Sequence, residues 1–487
     1  MCGIAGIFGS SHIVEEGCLD RMCGSMNHRG PDGLGVYLSP DYKVALGHRR
    51  LSIIDLSEAA RQPMSNEDGS IWITYNGEIY NYLALRKELS ERGHHFKSQS
   101  DTEVIIHGYE EWGTEGLLER LRGMFAFGIY DSRPQGSYPF IFLARDRLGI
   151  KPVYYTVQGD RFIFASEIKV ILASGLVTKE VDPHAVGLYL ISGSIPSPKT
   201  IYKDITALEP GHYLIISPKG LYKKCYYKLE TAFVNDSLSQ LSEKDAVEKV
   251  CSCLLDTVMC HLVSDVPVGA FLSGGTDSSA IVALMRGVGQ KQIKTFSIAF
   301  PVHPHDESRY SRLVAQVYET DHQEVEITGK DLSIHLDKIF YAMDQPTIDG
   351  VNTYFVSWAA AQAGLKVALS GIGGDEVFWG YSTFRDIPRI CTFINTINSI
   401  PFVNTVTRFL LDKSGDHRLS KVSAMLNGNS DLRKVYLIKR GLFTATHVSK
   451  MLHPALATEA LRGLDLFLYL DCSGIPDVKK QISFMEN

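Results

Sequence analysis

A continuous apolar stretch, a glycine-rich turn and a helix-like run follow one another in VPVGAFLSGGTDSSAIVALMRG, and the strand and turn recur in LKVALSGIGGDE. Near-continuous apolar strands are typical of a parallel sheet that helices cover on both faces. Apolar residues at helical spacing over 247–262 predict a helix just before the first of these strands. The second half of the chain is therefore predicted to be an α/β domain with a buried parallel sheet.

Both glycine-rich turns carry side chains suited to a nucleotide. In LSGGTDSS, glycines let successive N–H groups converge on an anion, and Ser278 stands at the start of the next helix. Asp277 in the first turn and Asp375 in the second are carboxylates able to hold Mg²⁺ between phosphates. The carboxyl ends of parallel strands share one edge, so the two turns are expected to meet over one triphosphate. A turn that uses glycine only for packing is the alternative for the first turn taken alone.

The first half has a different pattern. Up to about residue 215, short β-branched and aromatic stretches such as IWITYNGEIYN and RFIFASE alternate with turn residues and a few helix-like segments. This pattern predicts a β-rich layered domain. A chain of 487 residues exceeds one hydrophobic core. We therefore divide it into a first domain over 2–215, a linker over 216–245 and a second domain over 246–487.

The chain opens MCGIAGIFG, and removal of Met1 would leave an α-amine and a thiol on Cys2. A thiolate is a strong nucleophile, and an α-amine with a pKa near 8 serves as a general base around neutral pH. Gly3 allows the chain to pass close to a substrate. The amino terminus therefore predicts a nucleophilic cysteine.

Five further residues of the first half fit acyl transfer from glutamine. Arg50 in GHRRLSIIDLS suits an α-carboxylate, and Asn76 and Gly77 in YNGEIYN offer two donors for an oxyanion. Glu78 and Asp101 are carboxylates able to hold an α-ammonium group. Four of the five have a structural alternative when taken singly: a surface charge for Arg50, a hairpin turn for Asn76 and Gly77, and a helix N-cap for Asp101.

Composition excludes several classes of function. A net charge of -6 gives no reason to expect nucleic acid or an anionic membrane surface as partner. The longest apolar runs are too short to span a bilayer, and no signal-peptide pattern is present. Nine scattered cysteines indicate a reducing compartment, so a cytoplasmic location is expected. Cys251 and Cys253 lack a partner pair at zinc-site spacing, which argues against a metal site there.

Motifs in both halves resemble one family. SGGTDSS resembles the pyrophosphate loop SGGxDS of ATP pyrophosphatases, and with SGIGGDE it is similar to the synthetase half of the asparagine synthetase family. The motifs MCGIAG, HRGPD, GHRRLSIIDLS, YNGEIYN, SDTEVI, GMFAFGIYD, ARDRLGIKPVYY and FASEIKVIL resemble the class II glutamine amidotransferase domain. The resemblance implies an N-terminal αββα Ntn-hydrolase sandwich, followed by a parallel-sheet α/β ATP-pyrophosphatase domain.

The resemblance also implies roles for individual residues. It implies Cys2 as nucleophile, Asn76 and Gly77 as oxyanion hole, and glutamine contacts from Arg50, Leu51, Ser52, Asn76, Gly77, Glu78 and Asp101. For ATP it implies contacts from Leu272, Ser273, Gly275, Asp277, Ser278, Ile298, Ser370 and Gly371, with Mg²⁺ held by Asp277 and Asp375. ATP and Mg²⁺ are the implied cofactors, small-molecule substrates the implied partners, and a homodimer one implied assembly.

The implied reaction is aspartate, glutamine and ATP to asparagine, glutamate, AMP and diphosphate, with ammonia travelling inside the protein. Ile372 stands where the family commonly carries a carboxylate, so a sugar acid, peptide or secondary metabolite is the alternative acceptor. Asp344, Asp349 and Asn352 are candidate acceptor contacts, with loop caps as their alternative. The arginine- and serine-containing stretch of the family does not follow ISFMEN, so an incomplete carboxyl terminus is expected, and a glutaminase or regulatory homologue without synthesis is a further alternative.

Overall fold

The computed structural model describes residues 1–9, 11–15, 17–133, 138–234, 241–299, 308–400, 403–413, 417–426, 431–464, 470, 475 and 477–486. Across these ranges, no helix is both long and apolar enough to cross a bilayer. Antiparallel sheets fill the first part of the chain and a parallel sheet the second.

The strands of the first domain, within the described residues, are β1 (Gly3–Gly9), β2 (Gly33–Leu38), β3 (Val44–Arg50), β4 (Met64–Ser65), β5 (Ile71–Ile79), β6 (Gly123–Asp131), β7 (Phe140–Arg145), β8 (Tyr154–Gln158), β9 (Arg161–Ala165), β10 (Thr206–Ala207), β11 (His212–Ser217) and β12 (Gly220–Cys225). They form two six-stranded sheets. Sheet A has the order β10-β8-β9-β1-β3-β2, and sheet B the order β12-β11-β7-β6-β5-β4.

Helices cover the outer face of each sheet; they are α1 (Cys18–Ser25), α2 (Tyr82–Glu91), α3 (Asp101–Arg120) and α4 (Ile168–Ala173). A fifth helix, α5 (Pro183–Ser192), packs instead against the second half of the chain, where a Cβ on Gly187 would lie 2.5 Å from the Ala460 carbonyl oxygen. Buried side chains of α2 and α3 pack on sheet B, and those of α1 and α4 pack on sheet A. A third apolar cluster joins the inner faces of the two sheets. The predicted αββα sandwich is therefore confirmed.

Two central strands bring the predicted glutamine-site residues together. β1 is buried at every position, and its pairing with β3 sets Gly3 opposite Arg49, so Cys2 lies beside the end of β3. β5 pairs with β6 along its whole length and carries Asn76, Gly77 and Glu78 near its end. The thiol and the YNGE segment thus come from neighbouring sheets.

The second domain contains β13 (Val268–Phe271), β14 (Lys294–Ala299), β15 (Asp321–Glu326) and β16 (Val367–Leu369), which pair in parallel in the order β15-β14-β13-β16. β13 and β16, the two strands that precede the glycine-rich turns, are neighbours. The expectation that both turns lie at one edge of a parallel sheet is confirmed. The polar sequence DHQEVE carries no apolar strand signal, and β15 forms a half-exposed edge.

Helices of the remaining chain are α6 (Glu230–Val234), α7 (Glu243–His261), α8 (Thr276–Gly287), α9 (Ser308–Val317), α10 (Gly329–Ala342), α11 (Gly350–Gln362), α12 (Gly374–Phe378), α13 (Thr383–Asn398), α14 (Val403–Lys413), α15 (His417–Leu426), α16 (Leu432–Arg440), α17 (Ala445–Met451), α18 (Pro454–Leu461) and α19 (Val478–Glu486). Apolar side chains of α13, α15, α16 and α19 form a separate core beyond the sheet.

Two stretches differ from the pattern read in the sequence. The helix predicted over 247–262 is present as α7, but only Val258 of its apolar residues is buried, because α7 lies at the periphery of the sheet domain. The hairpin of β11 and β12 carries sheet B as far as Cys225, within the stretch 216–245 predicted as a linker. Four of the six β12 residues are exposed, so the segment lacks an apolar alternation.

Candidate active sites

A cavity of about 290 Å³ opens where β1, β3, β5 and the start of α3 meet. Its walls include Cys2, Arg50, Leu51, Asn76, Gly77, Glu78 and Asp101, which are seven of the residues predicted to act on glutamine. Ser52 is not part of these walls, and its N–H donates to Asp32 (2.8 Å). The structure thus brings together residues that are up to about a hundred positions apart in sequence.

Cys2 lies at the start of β1 with its thiol turned to the end of β3. The Leu51 N–H donates to Sγ (3.4 Å), and Arg29 Nε donates to the Cys2 carbonyl (2.8 Å). Burial raises the pKa of the Cys2 thiol, while the Leu51 N–H opposes that shift. The Met1 amine lies in the same cavity, and burial lowers its pKa to about 6. A neutral amine and a thiol therefore stand side by side near neutral pH.

Asn76 and Gly77 lie inside β5, so the alternative that they form a hairpin turn is wrong. Asn76 is 1% exposed, and its Nδ2 has no hydrogen-bond partner within the described part of the chain. A Cβ on Gly77 would come within 2.3 Å of the Met124 carbonyl, so only glycine fits there. A buried donor without a partner is costly unless a ligand accepts from it.

Glu78 and Asp101 are buried carboxylates in the same cavity. The pKa of Glu78 is raised to about 7, chiefly by burial, with Lys151 lowering it and Asp101 raising it. Asp101 accepts from Tyr75 Oη (2.7 Å) and from the Ile79 N–H (2.9 Å), and burial raises its pKa as well. The two carboxyl groups line the same cavity as the thiol.

The structural alternative for Asp101 is wrong, and Arg50 is bonded to the main chain of the following loop. The side chain that caps α3 belongs to Ser100, which accepts from the Thr102 N–H, whereas Asp101 is the first helical residue. Arg50 is half-buried, and its guanidinium donates to the carbonyls of Asp55 and Ser57. Its position is therefore fixed by main-chain acceptors rather than by solvent.

Sequence reasoning missed several residues of this cavity. Lys151 is buried, lines the cavity, and has its pKa lowered by burial. It lies in ARDRLGIKPVYY, a motif noted only for its resemblance. Lys366, Val367 and Ala368 line the same cavity although they belong to β16 and its approach, so the second domain closes part of the pocket.

An ion pair and several hydrogen bonds join the two domains near this cavity. Lys366 Nζ pairs with Asp32 (2.6 Å), and the Asp55 N–H donates to Asp265 Oδ2 (2.7 Å). Asp344 accepts from the N–H groups of Ile168 and Lys169 at the start of α4. Asp344 thus caps a helix of the first domain, in agreement with the cap that the sequence offers as the alternative to an acceptor contact.

The other two acceptor candidates, Asp349 and Asn352, lie at the start of α11. Asp349 precedes α11 without a side-chain capping bond, and Asn352 lies in the first turn of that helix. Ile372, between Gly371 and Gly373 of the second turn, is 84% exposed. An apolar side chain at this position faces solvent beyond the sheet.

The first glycine-rich turn links β13 to α8. Ser273 and Ser278 approach each other through their hydroxyls (3.0 Å), and the Gly275 N–H donates to Ser273 Oγ (3.2 Å). Gly274 has a φ of 88°, and a Cβ on it would lie 2.6 Å from the Ser311 N. The turn is therefore a closely packed loop whose amides and hydroxyls gather at the helix start.

The second glycine-rich turn packs on the first. A Cβ on Gly371 would lie 2.9 Å from the Ser278 N, and one on Gly374 would lie 2.3 Å from Asp277 Oδ2. Ser370 Oγ accepts from the Ile372 N–H (3.3 Å). The Asp277 carboxylate therefore sits directly against the second turn, as the sequence predicts.

Three carboxylates meet at this edge. The pKa of Asp277 is raised by burial and by the charges of Asp375 and Glu376. A divalent cation would relieve this repulsion, and oxygen ligands are those that Mg²⁺ prefers, so the residues present fit the predicted metal.

The two apolar residues predicted near the nucleotide differ in exposure. Leu272 is fully buried, and its N–H donates to the Phe296 carbonyl (2.8 Å). Ile298 is half-buried against the cluster of Ile327, Ile339 and Phe355.

Comparison with known proteins decides the family. A glutamine amidotransferase domain model matches residues 1–227, and an asparagine synthase model matches residues 249–453. A putative glutamine-hydrolysing asparagine synthetase 2 of Methanocaldococcus jannaschii is 40% identical over 408 residues, which cover 79% of this chain and 76% of that protein. The chain belongs to the glutamine-hydrolysing asparagine synthetase family.

Other relatives extend the family. Asparagine synthetase 3 of Bacillus subtilis is 39% identical, over 79% of this chain and 64% of that protein. Amidase chry2 of Gibberella zeae is 34% identical, over 77% of this chain and 57% of that protein. The chain thus spans less than two thirds of these two relatives. A solved glutamine phosphoribosylpyrophosphate amidotransferase from B. subtilis is similar at 17% identity and a TM-score of 0.37, over 68% of this chain and 92% of that one.

Proposed function

We propose that the protein is an ATP-dependent, glutamine-hydrolysing asparagine synthetase. Its reaction converts aspartate, glutamine and ATP into asparagine, glutamate, AMP and diphosphate. The observation that carries the proposal is the cavity in which the Cys2 thiol, the unpartnered Asn76 amide and the buried Glu78 and Asp101 face one space. A cytoplasmic location and a homodimer belong to the same proposal.

Glutamine hydrolysis follows from the residues of the cavity. After Met1 is removed, the Cys2 amine takes the thiol proton and Sγ attacks the side-chain carbonyl of glutamine. Asn76 Nδ2 and the Gly77 N–H stabilise the oxyanion. As it collapses, the Cys2 ammonium returns its proton to the departing nitrogen, so that ammonia leaves and a thioester remains. Water then hydrolyses the thioester to glutamate and returns the thiol. Arg50 holds the α-carboxylate of glutamine, and Glu78 and Asp101 hold its α-ammonium group.

Synthesis belongs to the edge of the parallel sheet. The acceptor carboxylate attacks the α-phosphate of ATP, diphosphate leaves, and ammonia then displaces AMP from the acyl-adenylate. The Ser273–Ser278 turn binds the diphosphate with N–H and hydroxyl donors. Asp277 and Asp375 hold Mg²⁺, which supplies positive charge against the phosphates.

Separate assays of the two reactions test the proposal. Cys2→Ala is expected to abolish glutaminase activity and glutamine-dependent asparagine formation, while ammonia-dependent synthesis persists. Cys253→Ala, at an exposed cysteine of α7, is the matched control and is expected to behave as wild type. Glutamate formation by Cys2→Ala at the wild-type rate would overturn the proposed glutaminase half. Absence of ATP-dependent synthesis with either nitrogen source would favour the homologue without synthetic activity.

A second candidate is the same chemistry on a different carboxylate. The exposed Ile372 supports it, because this side chain offers an acceptor or ammonia no charge. The relative named amidase chry2 supports it too, since its name is not that of an asparagine synthetase. ATP–diphosphate exchange against a panel of acids separates the two candidates. Exchange that depends on aspartate excludes the second, and exchange with a sugar acid or peptide alone excludes the first.

A further inference from the structure

Two histidines and a glutamate form a compact group beside the outer helices of sheet B. The His94 cluster consists of His94, in the loop after α2, and of His107 and Glu110 on α3. One ligand atom from each residue lies within 4.8 Å of the other two. Nδ1 of His107 is 3.0 Å and Nδ1 of His94 is 4.0 Å from the same oxygen, Glu110 Oε2. Both imidazoles therefore turn the same nitrogen to one carboxylate oxygen.

The far nitrogen of each imidazole faces a different carboxylate. Nε2 of His94 lies 3.3 Å from Glu111 Oε2. Nε2 of His107 lies 3.8 Å from both Glu67 Oε1 and Glu103 Oε1, and it has no hydrogen-bond partner among the described residues although His107 is 1% exposed. Carboxylates on the far nitrogen are the usual second layer around a metal-binding histidine, because they fix the tautomer.

Nδ1 of His107 lies 3.0 Å from Glu110 Oε2, a distance that requires a proton or a cation between the two atoms. In the metal-free protein a proton on Nδ1 fills this position, either as the single ring proton or as the second proton of an imidazolium, and a metal ion at the cluster would replace it. Asn66 Nδ2 donates to the other oxygen, Glu110 Oε1 (2.9 Å), so that Oε2 is the oxygen left for a ligand.

We propose that the His94 cluster is a zinc site. Nδ1 of His94, Nδ1 of His107 and Oε2 of Glu110 are the protein ligands, and water takes the fourth position. Imidazole nitrogen together with carboxylate oxygen is a donor set typical of Zn²⁺. The ion would join the loop after α2 to α3, the helix whose first residue is Asp101 in the glutamine cavity. Its role is to stabilise the fold, apart from both proposed reactions.

Metal binding by the full-length protein tests this site. Chelator-treated protein is titrated with ZnCl₂, and the zinc bound per chain and the melting temperature are measured. Wild type and His95→Asn, a substitution at the neighbouring exposed histidine, are expected to bind one more zinc ion than His94→Asn and to melt higher when zinc is added. Glu110→Gln is expected to lose the same ion, and Glu111→Gln to bind it about 10–100-fold more weakly.

Cobalt substitution distinguishes this site from the cysteines. Co²⁺ at the His94 cluster is expected to give visible d–d absorption without a thiolate charge-transfer band, in wild type but not in His94→Asn. Equal zinc content and equal melting temperatures of wild type and His94→Asn would overturn the proposal. That outcome would leave a proton, rather than a metal ion, between His107 Nδ1 and Glu110 Oε2.

Discussion

At the scale of single residues, burial raises the pKa of Glu78, so that this carboxyl group changes its charge near neutral pH. Its pKa of about 7 arises from burial, and the nearby Asp101 raises it further against the opposing charge of Lys151. The carboxyl group is charged above this pKa and neutral below it. A charged Glu78 attracts the α-ammonium group of glutamine, and a neutral one does not.

The KM for glutamine is therefore expected to rise as the pH falls through about 7, approaching tenfold per pH unit well below it. Steady-state glutaminase kinetics from pH 5.5 to 8.5 measure this change, with KM examined separately from kcat because the amine and thiol of the nucleophile also titrate. Glu78→Gln is expected to have a raised KM that no longer varies over the range. A wild-type KM that is constant from pH 8 to 6 would contradict the assignment.

Asn76 is the second residue whose substitution has a specific expected effect on catalysis. Its buried Nδ2 has no partner among the described residues, so removing this donor breaks no hydrogen bond seen there. Asn76→Ala is expected to lower kcat for glutamine hydrolysis by about 10²–10³-fold with little change in KM, because the donor acts on the oxyanion of the transition state. Asn81→Ala, which removes an exposed amide bonded to the Arg120 carbonyl, serves as control. A fall in kcat of less than tenfold would remove Asn76 from the oxyanion hole.

The motifs predicted most of the residues of this site, and the structure added those whose role depends on burial. MCGIAG, YNGEIYN and SDTEVI name residues that do line one cavity. The sequence left open whether Asn76 lies in a turn, because an Asn-Gly pair is also the strongest hairpin signal. Lys151 could not be predicted as part of the cavity, since lysine is ordinarily exposed and only the closed structure shows it buried.

At the scale of elements, the loop between β13 and α8 depends on one glycine. Gly274 has a φ of 88°, and a Cβ there would collide with Tyr310 Cβ and the Ser311 N, each at 2.6 Å. Gly274→Ala is expected to weaken ATP binding by about 1–3 kcal/mol, because the loop must move to relieve the strain. Isothermal titration with ATP and Mg²⁺ measures the change.

Gly289 provides a matched control for this substitution. Its φ is 95°, but nothing lies within 4 Å of an added Cβ. Gly289→Ala therefore imposes the backbone strain without the collision and is expected to leave ATP affinity near that of wild type. Equal ATP affinity for Gly274→Ala and wild type would show that the loop does not contact the nucleotide.

Strands and helices could be predicted where the sequence shows their burial as a pattern of apolar residues. β13 and β16 are short apolar strands with glycine turns, and the strands and the shared edge of their turns were predicted, whereas their direct pairing comes from the structure. β15 and β12 were not, because edge strands expose many side chains and their sequences DHQEVE and GLYKKC look like loops. The helical spacing of its apolar residues predicted α7, yet its apolar face is mostly exposed. Such spacing indicates a helix but does not show whether another element covers the apolar face.

At the scale of the whole molecule, the second domain supports the glutamine cavity of the first. Lys366 contributes to the cavity wall and pairs with Asp32, and Asp344 caps α4. These contacts join residues more than 170 positions apart in sequence. No local pattern predicts such pairs, so the sequence offered Asp344 as an acceptor contact or a cap without indicating that it caps a helix of the other domain.

Asp265 connects the second domain to Arg50 of the glutamine cavity through hydrogen bonds to and from Asp55. Its Oδ2 accepts from the Asp55 N–H, and Asp55 is held at a φ of 51°, a strained value for a residue with a side chain. The Asp55 carbonyl in turn accepts from Arg50, which lines the cavity. Loss of the Asp265 carboxylate would release the loop that orients Arg50, while Cys2 and Asn76 keep their places on β1 and β5.

Asp265→Ala is therefore expected to raise the KM for glutamine about 2–10-fold with kcat almost unchanged, corresponding to one hydrogen bond of about 0.5–1.5 kcal/mol. Asp256→Ala is the control, because Asp256 also joins the domains, through Arg122, but at an exposed position outside the cavity wall. Glutaminase kinetics and melting curves of both variants separate the effects. If both raise KM equally, the domain interface acts only through overall stability; if only Asp265→Ala does, the second domain helps to bind glutamine through Asp55 and Arg50.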